Sequence, residues 1–516
     1  MTFRSRTIRL AALFLAALIC ARLVVAQDAP LQGPLQALDE YVNKARAEWG
    51  TPGLAIAIVK DDKVVFAKGY GVRKLGESAT VNERTLFAIG SAGKAFTAAA
   101  LAVLVDEGKI KWDDPVTKHL KEFELYDPYI TREITIRDLL SHRTGLDRGE
   151  LLWYGSTLDR DEILRRIRRQ KPTYSFRSTF TYNNIMLLAA GQIIPAVTGK
   201  SWDDFVKERI FTPLGMTASN TSITAFNGID NVATPHARLG DNVQAIPWRN
   251  VDNIAPAGSI NSNALDLAQW LRMQLGEGAR ENKKIVSSGA VKEMHKPQMI
   301  IPYNQQSPGT TLDAHFTSYG FGWFLHDYHG RKVVQHGGGI DGMTALVAMM
   351  PEEKIGVAVL SNIQGSQLPW ALMYRVFDAY LGLPQQDRSA TFLAALKSAQ
   401  ERAEAAAKKV EDERVKGAKP SLPLEQYAGT YKDEMYGEAT VTHEEGKLVF
   451  RYSPAFTGEL EHWHYDTFRV KWPNPTVTES LVTFTLNAQG KAQEIKVPGM
   501  ADFKRVPAGT ATAAAR

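Results

Sequence analysis

A serine and a lysine three residues apart give the first chemical signal in this sequence. Ser91 stands just before an apolar run, and Lys94 follows it at the third position. Residues at i and i+3 share one face of a helix, so we expect the Lys94 ammonium within reach of the Ser91 hydroxyl. That charge and the helix N-terminus would both stabilise an alkoxide. The pattern therefore predicts a nucleophilic serine, although a capping serine followed by a solvated lysine has the same spacing.

Two further groups of polar residues follow in chain order. Tyr182 and Asn184 precede the apolar run at 185–197, and His336 opens a glycine run that ends at Gly339. Each has an ordinary structural interpretation when read alone. Tyr182 fits a buried aromatic residue, Asn184 fits a helix N-cap, and the glycines fit a flexible turn.

Together the three groups resemble the serine β-lactamase and penicillin-binding protein superfamily, whose sites combine S-x-x-K, Y-x-N or S-x-N, and K-T-G or H-x-G. Their order and spacing are similar to the class C-like branch, which also holds esterases and D-amino-acid peptidases. The resemblance covers roughly residues 35–385. Further segments similar to that branch are LLSHRTGL at 139–146, PLGM at 213–216, PAGSINSNALDLAQWL at 256–271 and YGFGW at 319–323.

The resemblance implies acyl transfer without a cofactor. Ser91 attacks a carbonyl to form an acyl-enzyme, which water then hydrolyses, while Lys94 and Tyr182 relay the proton. A tyrosine pKa near 10 must fall for a base role, and Lys94 is the cation expected to lower it. The backbone N–H groups of Ser91 and Gly339 are expected to form the oxyanion hole. The substrate-binding residues that the resemblance implies are Asn184, His336, Gly338 and Gly339.

The glycine run departs from the K-T-G pattern at two positions. His336 replaces the lysine and Gly337 replaces the threonine, which weakens the expected recognition of a carboxylate such as that of a penicillin. Neutral esters or peptide-like amides therefore fit at least as well as β-lactams. A histidine near its unperturbed pKa of about 6.5 would make the binding of acidic substrates depend on pH. The three glycines of 337–339 are expected to let an acyl group lie along a sheet edge.

Two other patterns give competing hypotheses. The string HGGG at 336–339 also occurs in oxyanion loops of α/β-hydrolases, but those precede a G-x-S-x-G elbow, and here Ile89 stands where that elbow needs glycine. His462, His464 and Asp466 would share one face of a strand and could hold a metal. No histidine follows Asp466, so we favour a solvated strand face and predict no metal site.

The N-terminus has the pattern of a signal peptide. Three arginines precede an apolar run at 10–21, and small residues precede Gln27, so we expect cleavage after Ala26 and a periplasmic or secreted protein. The run is short and Arg22 interrupts it, so we expect no stable membrane insertion of the mature chain. Cleavage removes four arginines and the single cysteine, Cys20, and lowers the formal net charge from +5 to +1. That charge predicts no nucleic-acid partner.

At 516 residues, with 44% hydrophobic and 23% charged residues, the chain is long enough for two or three globular domains. The expected fold class is α+β: an antiparallel sheet, built from both ends of the hydrolase region and flanked by helices, with a helical subdomain between them. Residues from 92 to about 273 are mostly helical in pattern. The predicted strands are 54–59, 63–67, 319–325, 332–335, 343–349 and 355–360, followed by a helix at 370–381.

The composition changes after Pro384. Residues 391–416 are rich in Ala, Lys, Glu and Arg and predict an exposed joining helix, and residues 422–506 alternate like short strands. This last region resembles the lipocalin-like module of many exported hydrolases of the superfamily. The predicted divisions are a signal peptide at 1–26, a β-lactamase-like hydrolase domain at 27–385, a helical linker at 386–420 and a small β-barrel-like domain at 421–510.

Two functions remain open from the sequence. The first is an exported serine hydrolase that acts on a small-molecule or peptide substrate: an ester, a D-amino-acid peptide or amide, or a β-lactam. The second is a non-catalytic protein on the same scaffold that binds cell-wall fragments. The intact set of Ser91, Lys94, Tyr182 and His336 favours the hydrolase.

Overall fold

A computed structural model describes residues 35–302, 312 and 314–507 of the chain. The predicted signal peptide and Cys20 lie outside the described residues, so those predictions stand as made. None of the helices in the described ranges is long and apolar enough to cross a membrane.

The central element is an eight-stranded antiparallel sheet made from both ends of the hydrolase region, as predicted. Its first hairpin turns at Asp61 and Asp62, both of which have positive φ, as in two-residue hairpin turns that match the twist of the strands. The other six strands come from residues 299–361. In order across the sheet the strands are Lys63–Gly71, Gly53–Lys60, Ile355–Ser361, Met343–Met350, Arg331–Ile340, Phe324–Tyr328, Thr317–Tyr319 and Met299–Ile300.

The sheet is buried on both faces, which explains why its central strands are apolar at nearly every position. In the strand Gly53–Lys60, Ala55 and Ala57 belong to the larger core beneath the helical subdomain. Leu54 and Ile56 belong to a second core on the opposite face. Alternate residues of a strand point to opposite faces, so a strand between two cores needs apolar residues at both.

The helices form a subdomain on one face of the sheet and a smaller layer on the other. The smaller layer contains residues of the helices Leu38–Glu48, Leu368–Leu381 and Arg388–Asp412. The α-helices are Leu38–Glu48, Lys94–Asp106, Val116–His119, Pro128–Glu133, Ile136–Leu140, Arg160–Ile167, Asn184–Thr198, Trp202–Val206, Thr212–Leu214, Ala255–Gly258, Ala264–Leu275, Ser288–Met294, Leu368–Leu381 and Arg388–Asp412. A π-helical turn spans Lys207–Phe211, and 3-10 turns span Gly90–Gly93, Glu150–Leu152, Ile223–Phe226, Asp252–Ile254 and Leu424–Gln426.

The structure differs from the sequence-based prediction in the hydrolase region at two places. The strand predicted at 319–325 is broken into two, because a tight loop intervenes in which Gly322 has a φ of +75°. A side chain at Gly322 would meet the backbone of Ala95 at 2.7 Å, so this loop packs directly on the helix that begins at Lys94. The predicted helical region also holds the short strand pair His236–Leu239 with Asn242–Ala245, and its strand Asn261–Ser262 pairs with Phe87–Ala88 just before the region. A third short pair, Ala279–Arg280 with Lys283–Lys284, follows it.

The C-terminal region is a closed eight-stranded barrel, which confirms the predicted all-β domain. The exposed helix Arg388–Asp412 leads into it. The rings of Tyr427, Phe468 and Phe484 pack inside it with centroids 4.8 to 5.5 Å apart, so side chains fill the interior. Its strands are Gly429–Asp433, Gly437–Glu444, Lys447–Ser453, Phe456–His464, Thr467–Val470, Ser480–Leu486, Ala492–Val497 and Ala501–Arg505.

Candidate active site

Ser91 lies in the 3-10 turn Gly90–Gly93, which leads directly into the helix that begins at Lys94. Ile89 donates its N–H to the carbonyl of Ile260 at 3.0 Å, which ties the start of this turn to a neighbouring strand. Gly90 has a φ of +50°, and a Cβ there would lie 2.9 Å from the nitrogen of Gly339. Only glycine meets both conditions without strain, and it brings the serine against the glycine-containing strand.

Lys94 is a titratable partner of the serine. Its Nζ lies 2.9 Å from the Ser91 Oγ and donates to the carbonyl of Ala257 at 2.7 Å. The side chain has no exposed surface, and burial holds the pKa of Lys94 well below its usual value. A neutral Lys94 amine donates one N–H to the Ala257 carbonyl and keeps a lone pair. The Ser91 hydroxyl can donate its proton to that lone pair.

Tyr182 completes the group, but in a different protonation state from the one expected. Its hydroxyl is hydrogen bonded to Ser91, and its ring lies 4.9 Å from the Lys94 Nζ. Burial raises the pKa of Tyr182, and the hydrogen bond to Ser91 offsets only part of that rise. The prediction that Lys94 lowers the tyrosine pKa is therefore wrong, since a buried neutral lysine supplies no positive charge. Tyr182 remains a phenol and is suited to donating a proton.

Asn184 faces the cleft, and its neighbour caps the helix. Asn183 accepts the N–H groups of Ile185 and Met186 at 2.8 and 3.1 Å, so the cap predicted at 184 lies one residue earlier. Asn184 donates its Nδ2 to Glu150 Oε1 at 3.3 Å. The Oδ1 of Asn184 is buried and has no hydrogen-bond partner among the described residues, which leaves it available to a ligand.

His336 lies behind the site rather than in its lining. Tyr319 Oη and His336 Nε2 are 2.9 Å apart, and the Nδ1 is 2.6 Å from the Gly337 carbonyl. Burial lowers the pKa of His336 to about 3. The expectation of titration near 6.5 is therefore wrong. The neutral ring supports the aromatic side chains behind Tyr182, whose centroid is 6.4 Å from that of His336.

The three glycines after His336 have different reasons to be glycine. A Cβ at Gly337 would lie 2.4 Å from the Trp370 ring, and one at Gly338 would lie 1.8 Å from the Ile89 carbonyl oxygen. A Cβ at Gly339 would meet nothing within 4 Å, and this residue lines the cleft. Two of the glycines are therefore explained by internal packing, which corrects the expectation that all three make room for substrate. The neighbouring strand Phe324–Tyr328 pairs with the strand Arg331–Ile340 only as far as Gln335. Residues 336–340 therefore have no strand partner on that side in the described part of the chain.

The cleft in front of Ser91 has a volume of about 370 Å³. It brings Ser91, Asn184 and Gly339 together, with Lys94 and Tyr182 beneath them. Its lining is formed by Gly90, Ser91, Arg148, Glu150, Trp153, Tyr154, Asn184, Val251, Ile254, Ala257, Gly258, Gly339, Ile340, Asp341, Met343, Gln364 and Gly365.

The outer rim of the cleft joins the two domains, a feature that sequence reasoning missed. Asp341 accepts hydrogen bonds from Tyr154 Oη at 2.8 Å, from Arg249 Nε at 3.0 Å and from Asn474 Nδ2 at 2.9 Å. Asn474 belongs to the barrel. Leu151 of the hydrolase domain packs into the barrel core beside this rim. No local pattern marks these residues, because their partners lie far away in sequence.

The H-x-H-x-D segment has structural partners of its own. His462 Nε2 lies 2.9 Å from the Tyr465 carbonyl, and His464 Nδ1 accepts the Val415 N–H at 3.2 Å. Asp466 accepts the N–H and hydroxyl of Ser421. Across the described ranges, no group of three or more His, Cys, Asp or Glu side chains could hold a metal ion.

Comparisons with known proteins match both domains. The Beta-lactamase family model matches residues 38–376, and a domain of unknown function (DUF3471) matches residues 413–507. An unguisins hydrolase from Aspergillus violaceofuscus is 30% identical over 484 residues, which are 85% of this chain and 82% of that protein. Penicillin-binding protein 4 from Amycolatopsis lactamdurans is 29% identical over 63% of this chain and 84% of its own length.

Solved structures share the fold. The octameric penicillin-binding protein homologue from Pyrococcus abyssi has a TM-score of 0.61 at 24% identity, over 90% of this chain and 98% of its own. The D-amino acid amidase from Ochrobactrum anthropi SV3 has a TM-score of 0.56 at 23% identity, over 66% of this chain and 98% of its own. The first of these therefore extends through the barrel as well.

Proposed function

The chain belongs to the β-lactamase family, and from this premise we propose that it is a serine hydrolase that forms an acyl-enzyme on Ser91. The observation that carries the proposal is the 2.9 Å contact between the Ser91 Oγ and a fully buried Lys94 amine, with the Tyr182 hydroxyl on the same oxygen. The relative at 30% identity is named as a hydrolase, which supports hydrolysis as the reaction class.

The proposed acylation begins with proton transfer from Ser91 to Lys94. The Ser91 Oγ bonds to the substrate carbonyl carbon as its proton passes to the neutral Lys94 amine, and the carbonyl electrons move to its oxygen. When the tetrahedral intermediate collapses, Tyr182 donates its phenolic proton to the leaving group, and Lys94 returns a proton to Tyr182. The lowered pKa of the lysine and the raised pKa of the tyrosine both favour these starting protonation states.

The developing oxyanion needs donors at a fixed place. We assign this role to the backbone N–H groups of Ser91 and Gly339, which the close packing of Gly90 on Gly339 holds near each other. Water then attacks the acyl carbon, with its proton passing to the Lys94 amine, and the Ser91 oxygen leaves with a proton. The enzyme returns to its starting state, so the cycle needs no redox change.

The charges near the cleft favour a neutral amide or ester as substrate. Arg148 Nε is paired with Glu150 at 2.9 Å, and Arg249 Nε with Asp341 at 3.0 Å. His336 is neutral because burial lowers its pKa to about 3. A substrate carboxylate would therefore have to compete with an existing ion pair. We also propose export to the periplasm or beyond the cell, on the N-terminal sequence pattern alone.

Covalent labelling tests the proposal. We expect a fluorophosphonate to add one adduct to the intact mass of the chain, on the peptide that contains Ser91. Ser91→Ala should abolish both the adduct and the turnover of p-nitrophenyl esters and D-alanyl amides. Ser178→Ala is the matched control, since this exposed serine lies four residues before Tyr182 in the sequence and its hydroxyl is hydrogen bonded to the Ser175 carbonyl and the Thr179 hydroxyl. Unchanged turnover in Ser91→Ala would overturn the proposal.

A further inference from the structure

The segment LLSHRTGL contains a fully buried histidine that the proposed mechanism does not use. His142 has no exposed surface, and its φ is +54°, a left-handed conformation that is uncommon outside glycine and asparagine. Such strained residues persist where the surrounding structure determines them strongly, and they cluster at functional sites. Both hydrogen bonds of His142 are with the segment that carries Tyr182.

Two hydrogen bonds place His142 on both sides of Tyr182. The His142 carbonyl accepts the N–H of Thr181 at 2.8 Å, and its Nδ1 accepts the N–H of Asn183 at 3.1 Å. The backbone of Tyr182 is therefore held one residue before and one residue after it. A single residue thus fixes the position from which the tyrosine side chain leaves the chain.

The ring of His142 also contacts the ring of Tyr182. Their centroids are 4.3 Å apart with the planes inclined by 34°, and the Tyr319 ring lies 4.8 Å from His142 on another side. Because Nδ1 accepts a hydrogen bond, the proton of the neutral ring lies on Nε2. Burial keeps the pKa of His142 well below its usual value, so the acceptor on Nδ1 is retained.

The loop around His142 is anchored at its other end by a buried carboxylate. Asp138 has no exposed side-chain surface and pairs with Arg143 at 2.5 Å and with Arg177 at 2.7 Å. The Arg177 N–H donates to the Arg143 carbonyl at 2.8 Å. The chain from 177 to 183 is therefore bonded to the chain from 138 to 143 along its length, which offsets the strain at His142.

We infer that His142 is a positioning residue that holds the Tyr182 hydroxyl against Ser91. The inference deepens the proposed function and rests on it for its catalytic consequence, whereas the placement of Tyr182 is a structural statement. His142 itself touches no reacting atom. The Nδ1 acceptor and the left-handed backbone of His142 hold Tyr182 in place. A displacement of the Tyr182 hydroxyl by about 1 Å is enough to lower the acylation rate roughly 100-fold.

Two variants separate the acceptor from the backbone conformation. Asparagine and glycine both tolerate a left-handed φ, but only asparagine offers an acceptor atom where Nδ1 stands. We expect His142→Asn to keep the acylation rate within a few-fold of the unmodified chain and His142→Gly to lose a further factor of about ten. The loss should fall on the acylation rate constant at a saturating D-alanyl amide, whose leaving amine needs the Tyr182 proton, with KM little changed.

Controls distinguish positioning from simple destabilisation. Ser141→Ala removes a hydroxyl bonded only to the Arg137 carbonyl, one residue from His142, and should leave the acylation rate unchanged. A positioning role also predicts that 3-fluorotyrosine at position 182 gives one sharp ¹⁹F resonance in His142→Asn and a broadened or split one in His142→Gly. This second measurement does not need turnover.

The outcomes separate the two proposals. Absence of an adduct on the unmodified chain would refute the hydrolase, and the fluorine spectra would then decide the placement of Tyr182 alone. Equal acylation rates in His142→Asn and His142→Gly, each normalised to folded protein, would overturn the positioning role. Identical fluorine spectra in the two variants would overturn it as well.

Discussion

The floor of the cleft and its outer rim differ in how their ionisable groups are treated: those of the floor are buried and neutral, and those of the rim are charged and paired. On the floor, Ser91, Lys94 and Tyr182 meet without a paired charge, and burial holds the lysine and the tyrosine neutral. On the rim, Asp341 is satisfied by an arginine, a tyrosine and the barrel residue Asn474. Desolvation makes the floor reactive, whereas ion pairing makes the rim rigid and uncharged towards a ligand.

The neutral floor and the ion-paired rim have opposite effects on the stability of the folded state. An amine removed from water without an anionic partner destabilises the folded state, since its pKa shift is a free-energy difference. A saturated carboxylate network stabilises the contact between domains. Variants of the floor should therefore lose activity and keep stability. Variants of the rim should lose stability and keep most of their activity.

Among the variants that compare the floor with the rim, the largest effect is expected for Lys94→Met. Methionine fills a similar volume but cannot accept the Ser91 proton, so we expect acylation to fall by about 100- to 10,000-fold. Removal of a buried amine that has no anionic partner should leave the melting temperature unchanged or raise it. Single-turnover labelling and thermal unfolding measure the two quantities on the same sample. A variant that is clearly less stable than the unmodified chain would contradict the electrostatic account of the floor.

Tyr182→Phe tests which group is the base. We expect acylation of an amide to fall by about 100-fold, because the leaving amine loses its proton donor, and that of an ester with a good leaving group to fall less. The neutral amine of Lys94 is the active form, so the rate should rise with pH through the lowered pKa of Lys94, well below its usual range.

The pH profiles of both chains decide this assignment. The raised pKa of Tyr182 predicts no decline in rate up to pH 10 in the unmodified chain. The rising limb should remain in Tyr182→Phe, since it belongs to the lysine. Loss of that limb in the variant would assign the base to the tyrosine instead.

The sequence predicted that the floor residues meet and did not predict the rim, for a physical reason. Ser91 and Lys94 are three residues apart, so helix geometry alone brings them together, and Tyr182 and His336 were placed by a resemblance. Asn474 reaches Asp341 only because the barrel docks on the hydrolase domain, and nothing local in either segment encodes that docking.

Protonation states were the other part that the sequence could not predict. Tyr182 and His336 were expected near their ordinary pKa values or shifted by Lys94, whereas burial controls both. Burial depends on packing from distant segments, such as Tyr319 against His336. Most strands of the central sheet and the all-β character of the C-terminal domain, by contrast, followed from alternating patterns and turn residues that are local.

Variants of Asn474 should affect the rim more modestly. Asn474→Ala leaves the Asp341 carboxylate one donor short, which costs about 1–3 kcal/mol of unfolding free energy. We expect KM to rise a few-fold through the loosened cleft wall, with kcat nearly unchanged. Asn474→Asp adds a like charge beside Asp341 and should have the larger effect of the two. Equal behaviour of both variants and the unmodified chain would show that the barrel does not support the rim.

The smallest effect on binding is expected from pH at His336. Because burial lowers the pKa of His336 to about 3, the affinity for a carboxylate ligand should not change between pH 5 and 8. A clear rise in affinity below pH 6.5 in the unmodified chain that is absent in His336→Gln would mean that His336 becomes charged behind the cleft, whereas a rise retained in His336→Gln would assign the charge to Lys94.

The free energy of unfolding should depend on pH in the range over which the affinity for a carboxylate ligand does not. The unfolded chain binds a proton at His336 below about pH 6.5, whereas the folded chain does not until about pH 3, so the stabilising contribution is complete above 6.5 and is lost as the pH falls. While one such histidine titrates, the slope approaches about 1.4 kcal/mol per pH unit. His295 and His326, with pKa values lowered by burial to about 3 and about 4, add to it. Denaturant unfolding of His336→Gln from pH 7 to 4 should therefore show a shallower loss than the unmodified chain, because one protonation has been removed from the unfolded state.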